Sequence, residues 1–203
     1  MNDRITELQA ELKRLLKPSR YEHTISVSYM CIALAMRYDY DLHKAELAGI
    51  LHDCAKYYID EEIISKCREK GLPLSEEEIK APAVLHAKYG AWVAEHQYGI
   101  DDPEILSAIR YHTTGKPEMS LLDKIVFTAD YIEPGRDRAP GLSMIRKLAF
   151  TDLDECVYEI LKSTLEYLEN KGGNVDSATY KAYDYYKQLH NQAICRGKGG
   201  NTI

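Results

Sequence analysis

Glu46-Leu47-Ala48-Gly49-Ile50-Leu51-His52-Asp53-Cys54-Ala55-Lys56 is an apolar stretch interrupted by an adjacent histidine and aspartate. Leu47, Ala48, Ile50, Leu51, Cys54 and Ala55 recur at helical spacing, which predicts a buried helix carrying two metal-grade side chains into a core. A carboxylate in such a place is costly unless something pairs with it. Successive helical residues point about 100° apart, so His52 and Asp53 can straddle one ion beside the helix but cannot stack. Lys56 lies one turn further on and points toward whatever anion the ion holds.

Working outward, the 203 residues are 45% apolar, enough to bury one sizeable core, and a single domain is expected. A net charge of -6 argues against a general binder of nucleic acid or acidic membrane, while leaving room for an anionic substrate in a locally basic cleft. Five cysteines without a C-x-x-C pair read as free thiols in a reducing compartment. Cys31, Cys54 and Cys156 sit in apolar helical contexts as small core residues. No apolar run approaches the ~20 residues needed to cross a bilayer, and Met1-Asn2-Asp3-Arg4 does not read as a signal peptide. The expectation is a soluble cytoplasmic protein with no membrane partner.

Helical periodicity dominates and no alternating segment reads as a strand, so the fold class expected is all-α. Ile5, Leu8, Leu12, Leu15 and Leu16 stripe a first helix that Lys17-Pro18 ends. Ser19-x-x-Glu22 has the form of a capping box opening a helix to about Tyr38, and Asp39 to Asp41 turn into the His52-Asp53 helix. A short helix over 61–70 closes at Gly71. Ser75-x-x-Glu78 is a second capping box, and Pro82 is expected in the first turn of a longer helix carrying His86. A helix over 104–112 and one capped by Ser120 and leading to Asp130 follow, then a charged turn at Glu133-Pro134-Gly135-Arg136-Asp137-Arg138. Two more helices, 152–170 and 177–195, flank Gly172-Gly173, and 196–203 reads as a frayed tail.

Six potential ligands fall near helix interiors or ends: His23, His52, Asp53, His86, His112 and Asp130. A mixed imidazole and carboxylate set suits Fe, Mn, Co, Ni or Zn, and the absence of thiolate pairs argues against a structural zinc knot. Taken singly, each such histidine is more often a core or surface residue; the adjacent His-Asp with Lys56 three residues on shifts the balance. His43, His96 and His190 are assigned no metal role.

The order His23, His52-Asp53-x-x-Lys56, Asp130 resembles the HD-domain superfamily of metal-dependent phosphohydrolases. The segments Arg20-Tyr21-Glu22-His23-Thr24, Leu51-His52-Asp53-Cys54-Ala55-Lys56, His86-Ala87-Lys88-Tyr89-Gly90-Ala91, Ala108-Ile109-Arg110-Tyr111-His112-Thr113-Thr114-Gly115 and Ala129-Asp130-Tyr131-Ile132-Glu133-Pro134-Gly135-Arg136 are similar to its bacterial YqeK branch. Members of that branch are symmetrical bis(5'-nucleosyl)-tetraphosphatases acting on diadenosine tetraphosphate. The resemblance implies one HD domain over 1–203, with a motif-bearing core at about 19–150, helices 152–195 packed on it and the tail 196–203. The branch often carries a His-Pro-x-Thr turn that helps to close the nucleotide site. Here the matching turn is Asn174-Val175-Asp176-Ser177, in which Ser177 is expected to cap the last helix.

By that resemblance His23, His52, Asp53 and Asp130 hold one transition ion, iron first. His86 and His112 complete a second metal position with Asp53 bridging, or, with one ion, serve as phosphate donors or a proton shuttle. Asp53, Lys56, His86 and His112 are the expected catalytic set. Arg20, Lys56 and Arg136 neutralise the polyphosphate, Thr113 donates to phosphate oxygens, and Asp53, His86, His112 and Asp130 complete the substrate contacts. Hydrolysis at the middle of the tetraphosphate bridge would give two ADP. The alternatives are another HD nucleotide phosphohydrolase (nucleotidase, deoxynucleoside triphosphatase or guanosine tetraphosphate hydrolase) and a non-catalytic nucleotide sensor. The resemblance is also compatible with a homodimer, and with no nucleic-acid partner.

Overall fold

The computed structural model describes residues 3–199, and among them it contains eleven α-helices and no strand. The expected all-α class is what forms. No helix among these residues is long and apolar enough to cross a membrane. The first helix, α1 (Asp3–Leu15), buries Ile5, Leu8 and Leu12, as its stripe predicts, while Leu15 is only half-buried. Pro18 then opens α2 (Pro18–Arg37) in its first turn, with Lys17 as an N-cap that makes no side-chain bond. The capping box expected at Ser19 therefore does not form. Proline's fixed φ and missing N–H suit the first helical position, so the helix is already under way at Ser19.

Asp41 caps α3 (Leu42–Leu51), accepting from the backbone N–H groups of His43 and Lys44. The helix stops one residue short of His52, so the expected helix through the His-Asp pair is corrected to a helix end followed by tight turns. In these turns Cys54 N–H donates to the Leu51 carbonyl and Lys56 N–H to that of Asp53. The physical reason is local. His52 Nδ1 lies 2.7 Å from the Gly49 carbonyl, the acceptor that a continuing helix would offer to the N–H of residue 53.

Next come α4 (Asp60–Glu69), α5 (Glu76–Lys80) and α6 (Leu85–His96). Ser75 and Glu78 form the predicted reciprocal capping box. Pro82, however, heads a single 3-10 turn, Pro82–Val84, and the helix carrying His86 begins only at Leu85. Asp102 caps α7 (Pro103–Tyr111), and Ser120 caps α8 (Leu121–Ile132). The short α9 (Leu142–Leu148), absent from the sequence reading, follows the left-handed Gly141. Its Arg146 donates to the carbonyls of Ile132, Glu133 and Arg136 and so fastens the turn after α8 from below.

The chain ends with α10 (Leu153–Asn170) and α11 (Ser177–Gly199). Ser177 is the first residue of α11 and not its cap; the Asp176 side chain instead accepts from Ala178 N–H at 2.7 Å. A carboxylate one residue earlier is the stronger acceptor for the exposed N–H groups of the first turn. Of the tail expected over 196–203, residues 196–199 continue α11, and 200–203 lie outside the described residues.

The site rests on the crossing of α2 and α3. A Cβ at Gly49 would stand 2.9 Å from both the Cys31 sulfur and the Ser28 Cα. Backbone cannot move aside like the end of a flexible side chain, so the two helices approach closely only because residue 49 is glycine. Gly49→Val is expected to destabilise the fold by about 1–3 kcal/mol or more through overpacking. Urea unfolding against the parent protein checks this; an unchanged midpoint would contradict it.

Candidate metal centre and active site

Asp53 is 2% exposed, and both of its oxygens face a guanidinium or ring nitrogens. Its Oδ1 lies 3.1 Å from His86 Nε2 and 3.7 Å from His112 Nε2. Its Oδ2 lies 2.9 Å from an Arg20 guanidinium nitrogen, 3.5 Å from His52 Nε2 and 3.9 Å from His23 Nε2. Asp130, on the last turn of α8, brings Oδ1 to 3.0 Å from His23 Nε2 and 2.8 Å from Arg136. Arg20 and His23 come from the first two turns of α2, His86 from the start of α6 and His112 from the residue after α7. Side chains from α2, α6 and the residue after α7 thus converge with His52 on one carboxylate, and His23 joins Asp130 of α8 to them.

The histidines share one local device. Nδ1 of His52, His86 and His112 lies 2.7, 2.7 and 2.8 Å from the carbonyl three residues earlier, that of Gly49, Ala83 and Ile109 respectively. His23 Nδ1 lies 3.2 Å from Glu133 Oε1 instead. Donation from Nδ1 leaves Nε2 with its lone pair aimed at the centre, the form in which imidazole binds a metal. Lys56 Nζ lies 3.0 Å from the Nδ1 of His86, which brings its charge beside the ring.

The geometry supplies the test of metal fit. His23 Nε2 and His52 Nε2 are buried with no hydrogen-bond partner, although His23 Nε2 sits 3.0 Å from a carboxylate oxygen. That is how two ligands of one ion stand, near each other but aimed at a common point. Ligand atoms of His23, His52 and Asp130 all lie within 4.8 Å of one another, as do those of His52, Asp53 and His112. A buried unpaired acceptor costs about 1–3 kcal/mol. A divalent ion among nitrogen and oxygen donors removes that cost, and the donor set suits a first-row transition metal. The residues fit the metal.

The charges of the cluster follow from burial and pairing: burial opposes a charged His52, but Asp53 outweighs it and raises the His52 pKa. Burial alone would raise the Asp53 pKa, but His52 and His86 outweigh it and hold the carboxyl well below the usual carboxylate range. Burial likewise opposes ionisation of Asp130, but His23, His52 and Arg136 outweigh it and hold its carboxyl below the usual carboxylate range. His112 is pushed down to about 3 by burial and by its imidazole neighbours, so it stands neutral. Burial also lowers the Lys56 pKa, against an upward pull from Asp53.

A cup of about 180 Å³ opens above this floor, lined by Arg20, Asp53, Lys56, His86, His112, Thr113, Asp130 and Arg136. The structure thereby brings together all eight residues that the sequence places against substrate. His52 lies beneath the cup with no exposure, and His23 reaches a neighbouring cleft of about 1030 Å³ that shares Arg20, Thr113 and Arg136 with the cup. The far wall of the cleft comes from α10 and the turn before α11, including Tyr167, Asn174 and Asp176. Asn174 donates to the Lys80 carbonyl at 3.0 Å, tying that turn across the cleft to the end of α5.

The histidines left out of the metal set lie elsewhere: His96 stacks on Trp92, His190 stacks on Tyr158 and bonds Glu155, and His43 is exposed beside the α3 cap. Cys54 directs its sulfur to the Gly90 carbonyl and packs. Glu133 is the residue that the sequence reading passed over. It is 3% exposed and orients His23 from 110 residues away, and its only sequence signal was a carboxylate three positions after Asp130.

His52→Ala is expected to lower divalent-metal affinity at least ~10-fold while leaving helicity intact. Elemental analysis after dialysis, with far-UV circular dichroism alongside, measures both; full metal retention would remove His52 from the ligand set.

The HD domain family model matches residues 20–135. The chain is 39% identical over 179 residues to the symmetrical bis(5'-nucleosyl)-tetraphosphatase of Bacillus subtilis, covering 88% of this chain and 95% of that one. It is 42% identical over 177 residues to the protein of the same name from Halalkalibacterium halodurans, covering 84% and 92%. The crystal structure of a predicted HD superfamily hydrolase involved in NAD metabolism from Clostridium acetobutylicum superposes with a TM-score of 0.87 at 38% identity, covering 91% of this chain and 97% of that one. Family, fold and a divalent-metal requirement thus converge on the same buried His-Asp cluster: the chain belongs to the HD domain family, in its YqeK branch.

Proposed function

We propose that the protein hydrolyses diadenosine tetraphosphate, and related dinucleoside polyphosphates, symmetrically to two ADP. One observation carries the reading: a metal-fit floor of imidazoles and carboxylates lies under a cup rimmed by Arg20, Lys56 and Arg136, which share the cup with His86, His112 and Thr113. The two relatives named above as symmetrical tetraphosphatases support the substrate.

His23, His52, Asp53 and Asp130 would hold the ion, which we take to be iron. When bound, it supplies Lewis-acid chemistry, activating water and withdrawing charge from a phosphoryl oxygen. The remaining work falls to the chain. Arg20 and Arg136 each use part of the guanidinium to hold a carboxylate, yet their side chains stay 36% and 41% exposed toward the cup. A guanidinium has five N–H donors, so each keeps donors for phosphate oxygens. Lys56 adds a compact charge beside His86. The Thr113 hydroxyl lies 3.2 Å from His112 Nε2 on the wall of the cup, where it can donate to a phosphate oxygen. Together these groups meet the charge that spreads over phosphoryl oxygens as the bond breaks.

Water adds to a central phosphorus of the bridge, and the P–O bond to the other half breaks in line. One ADP leaves as an anion, the second carries the new oxygen, and the water protons pass to solvent or to a basic group of the cup. The larger cleft gives a nucleoside a place against Tyr131 and Tyr167. We place the enzyme in the cytoplasm, acting on free nucleotides and not on nucleic acid.

Incubation of the metal-loaded protein with diadenosine tetraphosphate should yield ADP alone, and chelation should stop the reaction. AMP plus ATP would place the attack elsewhere on the bridge, and no turnover would favour a different nucleotide. Asp53→Ala should reduce turnover at least ~100-fold with the fold retained; turnover at parental metal content would refute that role for Asp53.

A further inference from the structure

We propose that Glu133 and Gly135 form a mechanical link between the metal site and the phosphate site, holding the ligand His23 and the turn of Arg136 in register through one shared carboxylate. The inference rests on the metal-centre reading above and adds a positioning role for two residues outside the proposed metal, catalytic and substrate-binding sets.

Glu133 is the residue following α8, three positions after Asp130, and its carboxylate is buried beneath the turn that presents Arg136. Oε1 lies 3.2 Å from His23 Nδ1, and Oε2 accepts from Gly135 N–H at 2.6 Å. Each oxygen has its own partner, and with His23 Nδ1 as the donor an ionised carboxylate accepts both bonds. The turn is closed by Arg136 N–H donating to the Glu133 carbonyl at 3.0 Å. It is fixed from the other side by Arg146, which donates to the carbonyls of both Glu133 and Arg136. Arg136 then reaches back to Asp130, bonding its carbonyl and its carboxylate. The result is a closed loop of contacts: His23, Glu133, Gly135, Arg136, Asp130 and His23 again.

Gly135 is the element that lets this loop close. Its φ is not among the left-handed values, so alanine would suffer no backbone strain there. What glycine provides is space: a Cβ would stand 3.0 and 3.1 Å from the two Glu133 carboxylate oxygens. Because both oxygens are already engaged, relief of that contact displaces the carboxylate and, with it, the orientation of His23. Gly135 itself is exposed on its outer side, so the substitution leaves the core untouched. A methyl group on the phosphate side of the loop should therefore be felt at the metal.

The test titrates metal-free protein with Mn(II) by calorimetry and measures ADP binding with and without Mn(II), for the parent, Gly135→Ala, Glu133→Gln and the double variant. Gly135→Ala is expected to weaken Mn(II) about 10-fold, within the 10–100-fold range found when a partner that orients a metal ligand is lost. Glu133→Gln should do the same or more, since an amide can accept only one of the two bonds. Both should also weaken ADP in the Mn(II)-loaded form, and the double variant should fall well short of the product of the single effects. Parental Mn(II) affinity in Gly135→Ala overturns the link, as does full multiplicativity of the two effects. A parent protein that binds no divalent ion overturns the metal-centre reading itself, an outcome distinct from variants that bind as well as a binding parent.

Discussion

A carboxylate removed from water must be answered by its surroundings, and the surroundings of Asp53 organise this molecule. At 2% exposure the side chain would be driven toward its neutral form. Instead His52 and His86 hold its carboxyl well below the usual carboxylate range, with an Arg20 guanidinium nitrogen 2.9 Å from Oδ2. Of Arg20, His23, His52, His86 and His112 around its oxygens, only His52 is a neighbour in the chain. The rest arrive from α2, α6 and α7, so the charge of one residue fixes where three other helices must end or pass. Removal of Asp53 would leave a cluster of basic groups with no centre, and removal of its neighbours would leave a buried charge without partners.

The candidate ligands owe their aim to helix ends. At a C-terminus the last carbonyls lack N–H partners within the helix. His52 and His112 sit where α3 and α7 finish and place Nδ1 on the carbonyl three residues back, and His86 does so at the junction of the 3-10 turn and α6. One interaction satisfies a terminal carbonyl, selects the tautomer and points Nε2 inward. The arrangement also explains why a site built from turns can be rigid: each ring is fixed to backbone and not to another mobile side chain. The α2 helix contributes differently, since His23 lies within it and needs a carboxylate, Glu133, to do the same task.

Much of the site was legible because its residues carry local signals. A His-Asp pair within an apolar run has no cheap structural explanation, and histidines near helix ends at His86 and His112 are visible once the caps at Asp102 and Ser120 and the Pro82 junction are read. The errors were also local. Ser19 and Ser177 both offered a capping side chain, but Pro18 had already set the first helix turn and Asp176 supplied the nearer, charged acceptor. The helix α9 was overlooked because seven residues following a Pro-Gly turn present too short a period to register. Glu133 was overlooked for a different reason: nothing near it in the chain reveals that its partner is residue 23.

By itself, the sequence determined the all-α class, most helix boundaries to within a few residues, and the side chains able to bind metal and phosphate. These follow from apolar periodicity, capping chemistry and side-chain type, all readable within a turn or two of chain. Only the tertiary structure decided that His52 and Asp53 lie beyond the end of their helix, which rings leave a lone pair unpartnered, and that Glu133 and Arg146 secure the turn of Arg136. Those outcomes depend on the close crossing of α2 and α3 at Gly49 and on contacts between segments 100 or more residues apart. Orientation and distance across a core belong to packing, and no local pattern along the chain specifies them.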